Sequence, residues 1–276
     1  MVENIDFRLD WPGFDFRVLG RRLVSINLSD LAAMGAEPRF ALISLSLRRE
    51  IAVSDVSELY RGIAEQARRY RLQVAGGDLS ETSGPLTATA TLVGRVRAAG
   101  SVLKRHGARA GWQIAVTGSL GGAASGLRLL ESGRAPATPN QSAWVRAQLD
   151  PTPQVEAGQA LVAAGVGVGG DISDGLYREI ERLLDGSTMG ATVEIEQLPL
   201  ARGLPRESWA LALRNSEDFE LICAAPAATM VAAQRSLARR KLRLTAIGRI
   251  ERERGIRLLN GRRLETLQNA GYEHFR

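Results

Sequence analysis

Apolar positions along the chain keep two rhythms, one near the helical repeat and one alternating. Leu23, Val24, Leu28, Leu31 and Met34 share a helical face and predict a helix over 21–34. Gly35 stands where a C-cap glycine belongs, and Glu37-Pro38 breaks the helix. Ile43, Leu45 and Leu47 alternate and predict a strand over 40–47. Val56, Leu59, Ile63, Ala67 and Tyr70 return to the helical period over 53–70, with Ser54 placed to cap it. A short strand over 72–75 then ends in Gly76-Gly77-Asp78, and the alternation over 86–96 has good strand composition.

Beyond a break near residue 100 the pattern starts afresh. Strands are predicted over 112–117, 191–195, 219–224, 244–250 and 257–259. Helices are predicted over 123–130, 142–149, 155–164, 176–184 and 228–239, and 165–170 reads as a glycine-rich turn. Helices and strands in similar number, with antiparallel-style runs, give an α+β chain of two domains, 1–100 and 101–276.

Composition narrows the class. The 276 residues are 45% hydrophobic and 24% charged, as in ordinary soluble proteins. Cys223 is the only cysteine and lies in an apolar run, which predicts a buried free thiol in a reducing compartment. No apolar run is long enough to span a bilayer, and the first ten residues lack a signal-peptide pattern, so a cytoplasmic protein is expected. The net charge of +6 invites a nucleic-acid reading. Its arginines are scattered, however, and no aromatics interleave the densest cluster, Arg235 to Arg243, so no nucleic-acid or membrane partner is expected.

The chemistry available is that of carboxylates. Neither Lys104 nor Lys241 follows a phosphate-binding glycine loop, and one cysteine with two histidines builds neither a Cys/His metal cluster nor a Ser-His-Asp triad. Asp30 follows a serine in a helical segment, Asp78 follows two glycines at a strand end, and Asp171 and Asp174 bracket Ile172-Ser173 just after Gly169-Gly170. Hard oxygens in such corners suit Mg²⁺ with a polyphosphate, since glycine lets backbone approach the phosphates. Each aspartate taken singly is more ordinarily a cap or turn residue than a ligand, and Asp174 is placed to cap the helix at Leu176. Thr117-Gly118-Ser119-Leu120-Gly121 is a strand-to-helix turn whose amides are candidates for phosphate, although such a turn needs no ligand. Glu217, Asp218 and Glu220 put three acids within four residues at a strand start.

At this point the motifs become collectively recognisable. Asn27-Leu28-Ser29-Asp30-Leu31-Ala32-Ala33-Met34-Gly35-Ala36-Glu37-Pro38 resembles the signature of thiamine-monophosphate kinases. Gly76-Gly77-Asp78, Asp171-Ile172-Ser173-Asp174-Gly175-Leu176, Ser216-Glu217-Asp218-Phe219-Glu220-Leu221 and Gly271-Tyr272-Glu273-His274-Phe275 follow in that family's order. The resemblance implies the two-domain α+β fold of the aminoimidazole ribonucleotide synthetase-like superfamily, with a mainly antiparallel N-terminal sheet. It implies direct transfer of the ATP γ-phosphoryl to thiamine monophosphate, with no covalent catalytic residue. By that resemblance Asp30, Asp78, Asp171 and Asp174 are Mg²⁺ ligands, and Tyr60, Gly77, Arg105 and Ser173 touch ATP. Glu217 and Tyr272 match substrate-contacting positions, and Asp6 stands where the family usually has a substrate-contacting histidine. The family also forms homodimers through its N-terminal sheets.

Some features depart from the family. Met1 to Phe7 resembles the stretch that follows the family's Gly-Asp-Asp segment and first strand, so those upstream Mg²⁺ ligands are expected to be missing. Ser216 replaces the usual glycine, and Asp150 stands where an arginine often precedes Pro-x-Pro. Two alternatives therefore stay open: a superfamily relative that binds ATP but acts on another small substrate, and a truncated non-catalytic homologue.

Overall fold

The structure, a computed structural model, describes residues 1–97, 101–214 and 216–267. Helix α1 (Phe16–Ala33) begins before its apolar stripe does, because the Asp15 carboxylate accepts from the Val18 amide at 2.8 Å and caps the end. At the other end Gly35 takes the left-handed conformation, and the amides of Gly35 and Ala36 return to the carbonyls of Ala32 and Leu31. That is the Schellman arrangement expected of Gly35. Strand β1 (Glu37–Leu47) follows at once, and helix α2 (Val53–Arg69) connects it to strand β2 (Gln73–Glu81). The residue at the start of α2 is Ala52, which makes no side-chain cap, so Ser54 does not cap this helix.

Strand β3 (Thr87–Arg95) completes a three-stranded sheet in the order β2-β1-β3. The β1–β2 ladder is parallel and the β1–β3 ladder antiparallel, so this sheet is mixed where a mainly antiparallel one was expected. The helical crossover through α2 is what makes the first pair parallel. Ala41, Ile43, Leu45 and Leu47 turn inward from β1, whereas Phe40, Leu42 and Ser44 face outward. Gly76-Gly77-Asp78, predicted at a strand end, lies inside β2, just past a register shift between Ala41 and Leu42.

The remaining elements are β4 (Gln113–Thr117), α3 (Gly122–Glu131), α4 (Pro139–Leu149), α5 (Val155–Ala163), β5 (Val168–Asp171), α6 (Leu176–Leu184), β6 (Gly190–Glu194), α7 (Trp209–Leu213), β7 (Leu221–Ala225), α8 (Ala227–Ala238), β8 (Leu244–Glu251), β9 (Gly255–Asn260) and β10 (Arg263–Glu265). Their seven strands form one sheet in the order β10-β9-β6-β8-β4-β7-β5. The glycine-rich stretch predicted as a turn supplies the edge strand β5. Glycine is needed there because a Cβ on Gly169 would lie 2.6 Å from the Ile222 carbonyl of β7.

The two faces of this larger sheet belong to different cores. Ile114, Val116 and Ile222 pack with Ile172, Leu176 and Ile180 on one side. On the other, Ala115, Leu221 and Cys223 join the core that contains α1, β1, α5 and α8. Burial pushes the Cys223 thiol up to about 12, as suits the inert buried thiol expected of it. The two sheets are thus bridged by α1, which carries Asp30 toward the edge of β5. Among the described residues, no helix is long and apolar enough to cross a membrane.

Candidate active site

The end of β5, the turn into α6 and the outer face of α1 meet in a cleft of about 320 Å³ lined by Asp30, Asp171, Ser173, Asp174, Glu217 and Phe219, among others. Local chain geometry forces the turn. Gly175 has φ 94°, and a Cβ there would stand 1.6 Å from the Arg214 carbonyl. Gly175, not Asp174, is the cap residue of α6, which leaves the Asp174 carboxylate free of that duty.

Asp171 is buried at the floor of the cleft. Its Oδ2 accepts from the Ser29 hydroxyl at 3.0 Å and its Oδ1 from Arg105 at 3.2 Å. Burial pushes the Asp171 carboxyl up, and Ser29 and Arg105 oppose the rise. Asp30 is pushed up to about 6, by partial burial first and by the Asp171 charge second. Asp174 accepts from Arg182 at 2.6 Å. Arg105 reaches Asp171 because Lys104 is pinned to the β5 edge by backbone bonds to Gly167 and Gly169. Asp30 and Asp171 thus stand close enough for the charge of one to raise the other, while Asp174 beside them is paired with Arg182.

A second cavity of about 400 Å³ adjoins the first and shares Ser173, Asp174 and Glu217 with it. Asp6, Trp11 and Gln148 are also among its lining residues. Glu217 is held from behind: its Oε2 accepts from Arg22 at 2.7 Å and from Gln148 at 2.9 Å. Arg22 is buried within α1 and also lies over the Phe219 ring, 5.9 Å from its centroid.

Not every candidate residue joins this cleft. Tyr60, Gly77 and Asp78 line a separate depression of about 390 Å³ outside β2. Tyr272 lies outside the described residues. Among the described residues, no group of three or more His, Cys, Asp or Glu side chains is placed to hold a metal ion. Pattern reading missed Ser29, Arg22, Glu179 and Arg182. The one usable signal was Arg22, a charge amid the apolar stripe of Leu19, Leu23 and Val24.

The turn Thr117 to Gly121, a phosphate candidate by sequence, is otherwise engaged. Asp218 accepts from the amides of Gly121 at 2.7 Å and Ala123 at 3.2 Å, so the N-terminus of α3 already has its acceptor. Beside it, Glu220 accepts from the Thr117 hydroxyl at 2.6 Å. Burial pushes Glu220 up to about 7; the Thr117 bond opposes this and the Asp218 charge adds to it. A folded-state value above the unfolded one means that the protonated form stabilises the fold. That contribution is complete below the unfolded value of about 4.5 and is lost as pH rises through 7, on the order of 3 kcal/mol in all. Glu220→Gln, which keeps the acceptor, should therefore gain stability over the parent at pH 8 and show little gain at pH 4.5. Thermal unfolding at the two pH values checks this, and an equal gain at both would refute it.

The fold and this acidic cleft define a class, and comparison identifies it. Residues 1–96 match the family model described as AIR synthase related protein, N-terminal domain, and residues 109–259 match its C-terminal domain. A thiamine-monophosphate kinase from Rhodopirellula baltica is 35% identical over 235 residues, covering 82% of this chain and 66% of that protein. The chain thus spans slightly less than two thirds of that relative. The crystal structure of thiamine-monophosphate kinase from Stenotrophomonas maltophilia superposes with a TM-score of 0.85 at 30% identity, over 94% of this chain and 82% of that one. AaThiL complexed with AMPPCP and TMP gives a TM-score of 0.85 at 27% identity, over 100% of this chain and 85% of that one. The chain belongs to the AIR synthase related proteins and, within them, to the thiamine-monophosphate kinase family.

Proposed function

We propose that this protein transfers the γ-phosphoryl group of ATP to thiamine monophosphate, giving thiamine diphosphate and ADP. The observation that carries the reading is the convergence of Asp30, Asp171, Asp174 and Ser173 in one cleft, with Arg105 bonded to Asp171 and Glu217 at the border of an adjoining cavity. Nucleotide phosphates would lie against the aspartates, and the thiamine part would occupy the adjoining cavity.

Mg²⁺ fits these residues. It takes one or two carboxylates and completes its shell with phosphate oxygens and water, so a full protein cage is not needed. One or two of Asp30, Asp171 and Asp174 would hold it, and the repulsion between Asp30 and Asp171 is the charge it would offset. When bound, Mg²⁺ supplies charge neutralisation and alignment of the phosphates. The protein's own part is positioning. Arg105, half-exposed and fastened at Asp171, turns its remaining N–H groups to the transferring phosphate. Ser173 contacts ATP from the floor. Glu217, fixed by Arg22 and Gln148, keeps Oε1 for the cationic thiazolium, with Asp6 across the cavity and Tyr272 as the aromatic partner. An oxygen of the monophosphate attacks the γ-phosphorus as the bond to the β,γ-bridging oxygen breaks, and ADP leaves.

Tyr60 and Gly77 as further ATP contacts, and Asp78 as a further Mg²⁺ ligand, belong to the same proposal, as do a division at 1–100 and 101–276 and a cytoplasmic location. The homodimer does too. Phe40, Leu42 and Val93 are 47%, 49% and 53% exposed on the sheet face turned away from α1 and α2, with Phe40 paired to Val93. A second copy covering that face would bury them. Phe40→Asp with Leu42→Asp should therefore shift the protein from dimer to monomer, weakening association at least about 100-fold, since two desolvated charges cost several kcal/mol. Light scattering across a dilution series reads this, and an unchanged dimer would remove this face from the interface.

The test of function is incubation with Mg-ATP and thiamine monophosphate followed by chromatography. Thiamine diphosphate and ADP in equal amounts are expected. Nucleotide binding without diphosphate formation, together with phosphorylation of another small acceptor, would overturn the substrate assignment.

A further inference from the structure

Helix α6 buries Leu176, Ile180, Leu183 and Leu184 against the larger sheet, and among them it buries a carboxylate, Glu179, at 0% exposure. An ionised group in that setting carries a desolvation penalty, and a well-packed apolar residue would often serve stability as well or better. Core packing is therefore not what calls for it. Its surroundings give a different reason. Glu179 Oε1 accepts from Arg182, and the same guanidinium donates to Asp174 at 2.6 Å. Glu179 Oε2 carries no hydrogen bond and faces Arg105 Nε at 3.5 Å, while Arg105 donates to Asp171 at 3.2 Å. Gly170 clears the space in which they meet, since a Cβ there would stand 3.2 Å from Arg105 Nε and 3.3 Å from Glu179 Oε2.

We infer that Glu179 is a positioning residue for the nucleotide site, holding Arg105 on one oxygen and, through Arg182 on the other, Asp174. The inference rests on the proposed reading of the cleft as an ATP site and deepens it. One buried carboxylate sets two arginines on either side of the Asp171–Asp174 turn. Arg105 is thereby aimed with its outer N–H groups toward the phosphates, and the Asp174 carboxylate is held by Arg182 within the lining of the cleft. A guanidinium on a flexible stem loses less freedom on meeting phosphate if it is already fixed at its inner edge. The N-terminal motif of α6 is short, but the residues that orient it lie one and two turns deeper in the helix.

The experiment is calorimetric titration of the chain with a non-hydrolysable ATP analogue in the presence of Mg²⁺, for the parent, Glu179→Gln, Arg105→Gln and the double variant. Outer groups that orient a metal or phosphate site cost about 10- to 100-fold when removed. Glu179→Gln should weaken nucleotide binding about tenfold, leave thiamine monophosphate binding within threefold and retain one cooperative thermal transition. In the Arg105→Gln background it should add less than half of that effect on a logarithmic scale, because a residue acting through Arg105 has less left to act on. Nucleotide binding within threefold of the parent, or full additivity with Arg105→Gln, would overturn the inference. Should Glu179→Gln fail to fold, Glu179→Asp, which keeps the charge but withdraws it by one methylene, is read with the same threefold threshold. A parent chain that binds no nucleotide would overturn the functional reading and this inference together, whereas a parent that binds normally beside an unaffected Glu179 variant would overturn the inference alone.

Discussion

Replacing Asp171 by asparagine is expected to lower phosphorylation of thiamine monophosphate by about 10²- to 10³-fold while leaving the melting temperature equal or higher. The side chains are nearly the same shape, and asparagine can still accept from the Ser29 hydroxyl, which now bonds Asp171 at 3.0 Å. What is lost is a negative charge. In the folded protein that charge is disfavoured by burial and itself raises the neighbouring Asp30, so removing it relieves a cost. The same charge would hold Mg²⁺ and now fastens Arg105. Opposite signs for activity and stability mark a group retained for chemistry. Steady-state rates and thermal unfolding in one buffer give both numbers. A fall in activity matched by loss of the cooperative transition would make Asp171 structural, and activity within tenfold of the parent would remove it from the metal site.

Gly62→Val should cost about 3 kcal/mol or more of unfolding free energy. Local propensity alone argues the other way, because glycine is the poorest of the ordinary helix formers and its replacement favours an isolated helix. The tertiary contact decides. Helices α1 and α2 touch backbone to backbone at two reciprocal points. A Cβ on Gly62 would lie 1.9 Å from the Arg17 carbonyl, and one on Gly20 would lie 2.0 Å from the Leu59 carbonyl. Any side chain there drives the helices apart and displaces α1, which carries Arg22, Ser29 and Asp30. Against a total stability of about 5–15 kcal/mol such a loss is large. Denaturant titration measures it, and a variant as stable as the parent would show that the close approach does not constrain the pair.

Reading the chain as a pattern located its elements wherever the signal was local. The face through Leu23, Leu28 and Leu31 with the glycine behind it marked α1, and the alternation of Ile43, Leu45 and Leu47 marked β1. The aspartates of the cleft could be picked out because several acids, each beside a serine or glycine, are unusual in combination. Misreadings came where a residue's ordinary habit was overruled from elsewhere in the fold. Glycines at 165–170 read as a turn, but Gly169 and Gly170 lie in β5, one against the backbone of β7 and the other beneath the Arg105–Glu179 pair. Gly76-Gly77-Asp78 read as a strand end, yet the β1 ladder carries it onward to Glu81.

Glu179 shows the same limit within the site. On an amphipathic helix a glutamate between apolar residues reads as solvent-facing, and nothing local says that it lies under two arginines, one of them 74 positions away in sequence. Helix faces, the breaks between them, the buried thiol and the acidic corners follow from the order of residues, because those properties depend on neighbours within a turn or two. The mixed sheet, the meeting of Asp30 with Asp171, and the separation of Tyr60 and Asp78 from them depend on pairings between distant segments. Such pairings are settled by which surfaces exclude water together, and that is fixed only when the whole chain has packed.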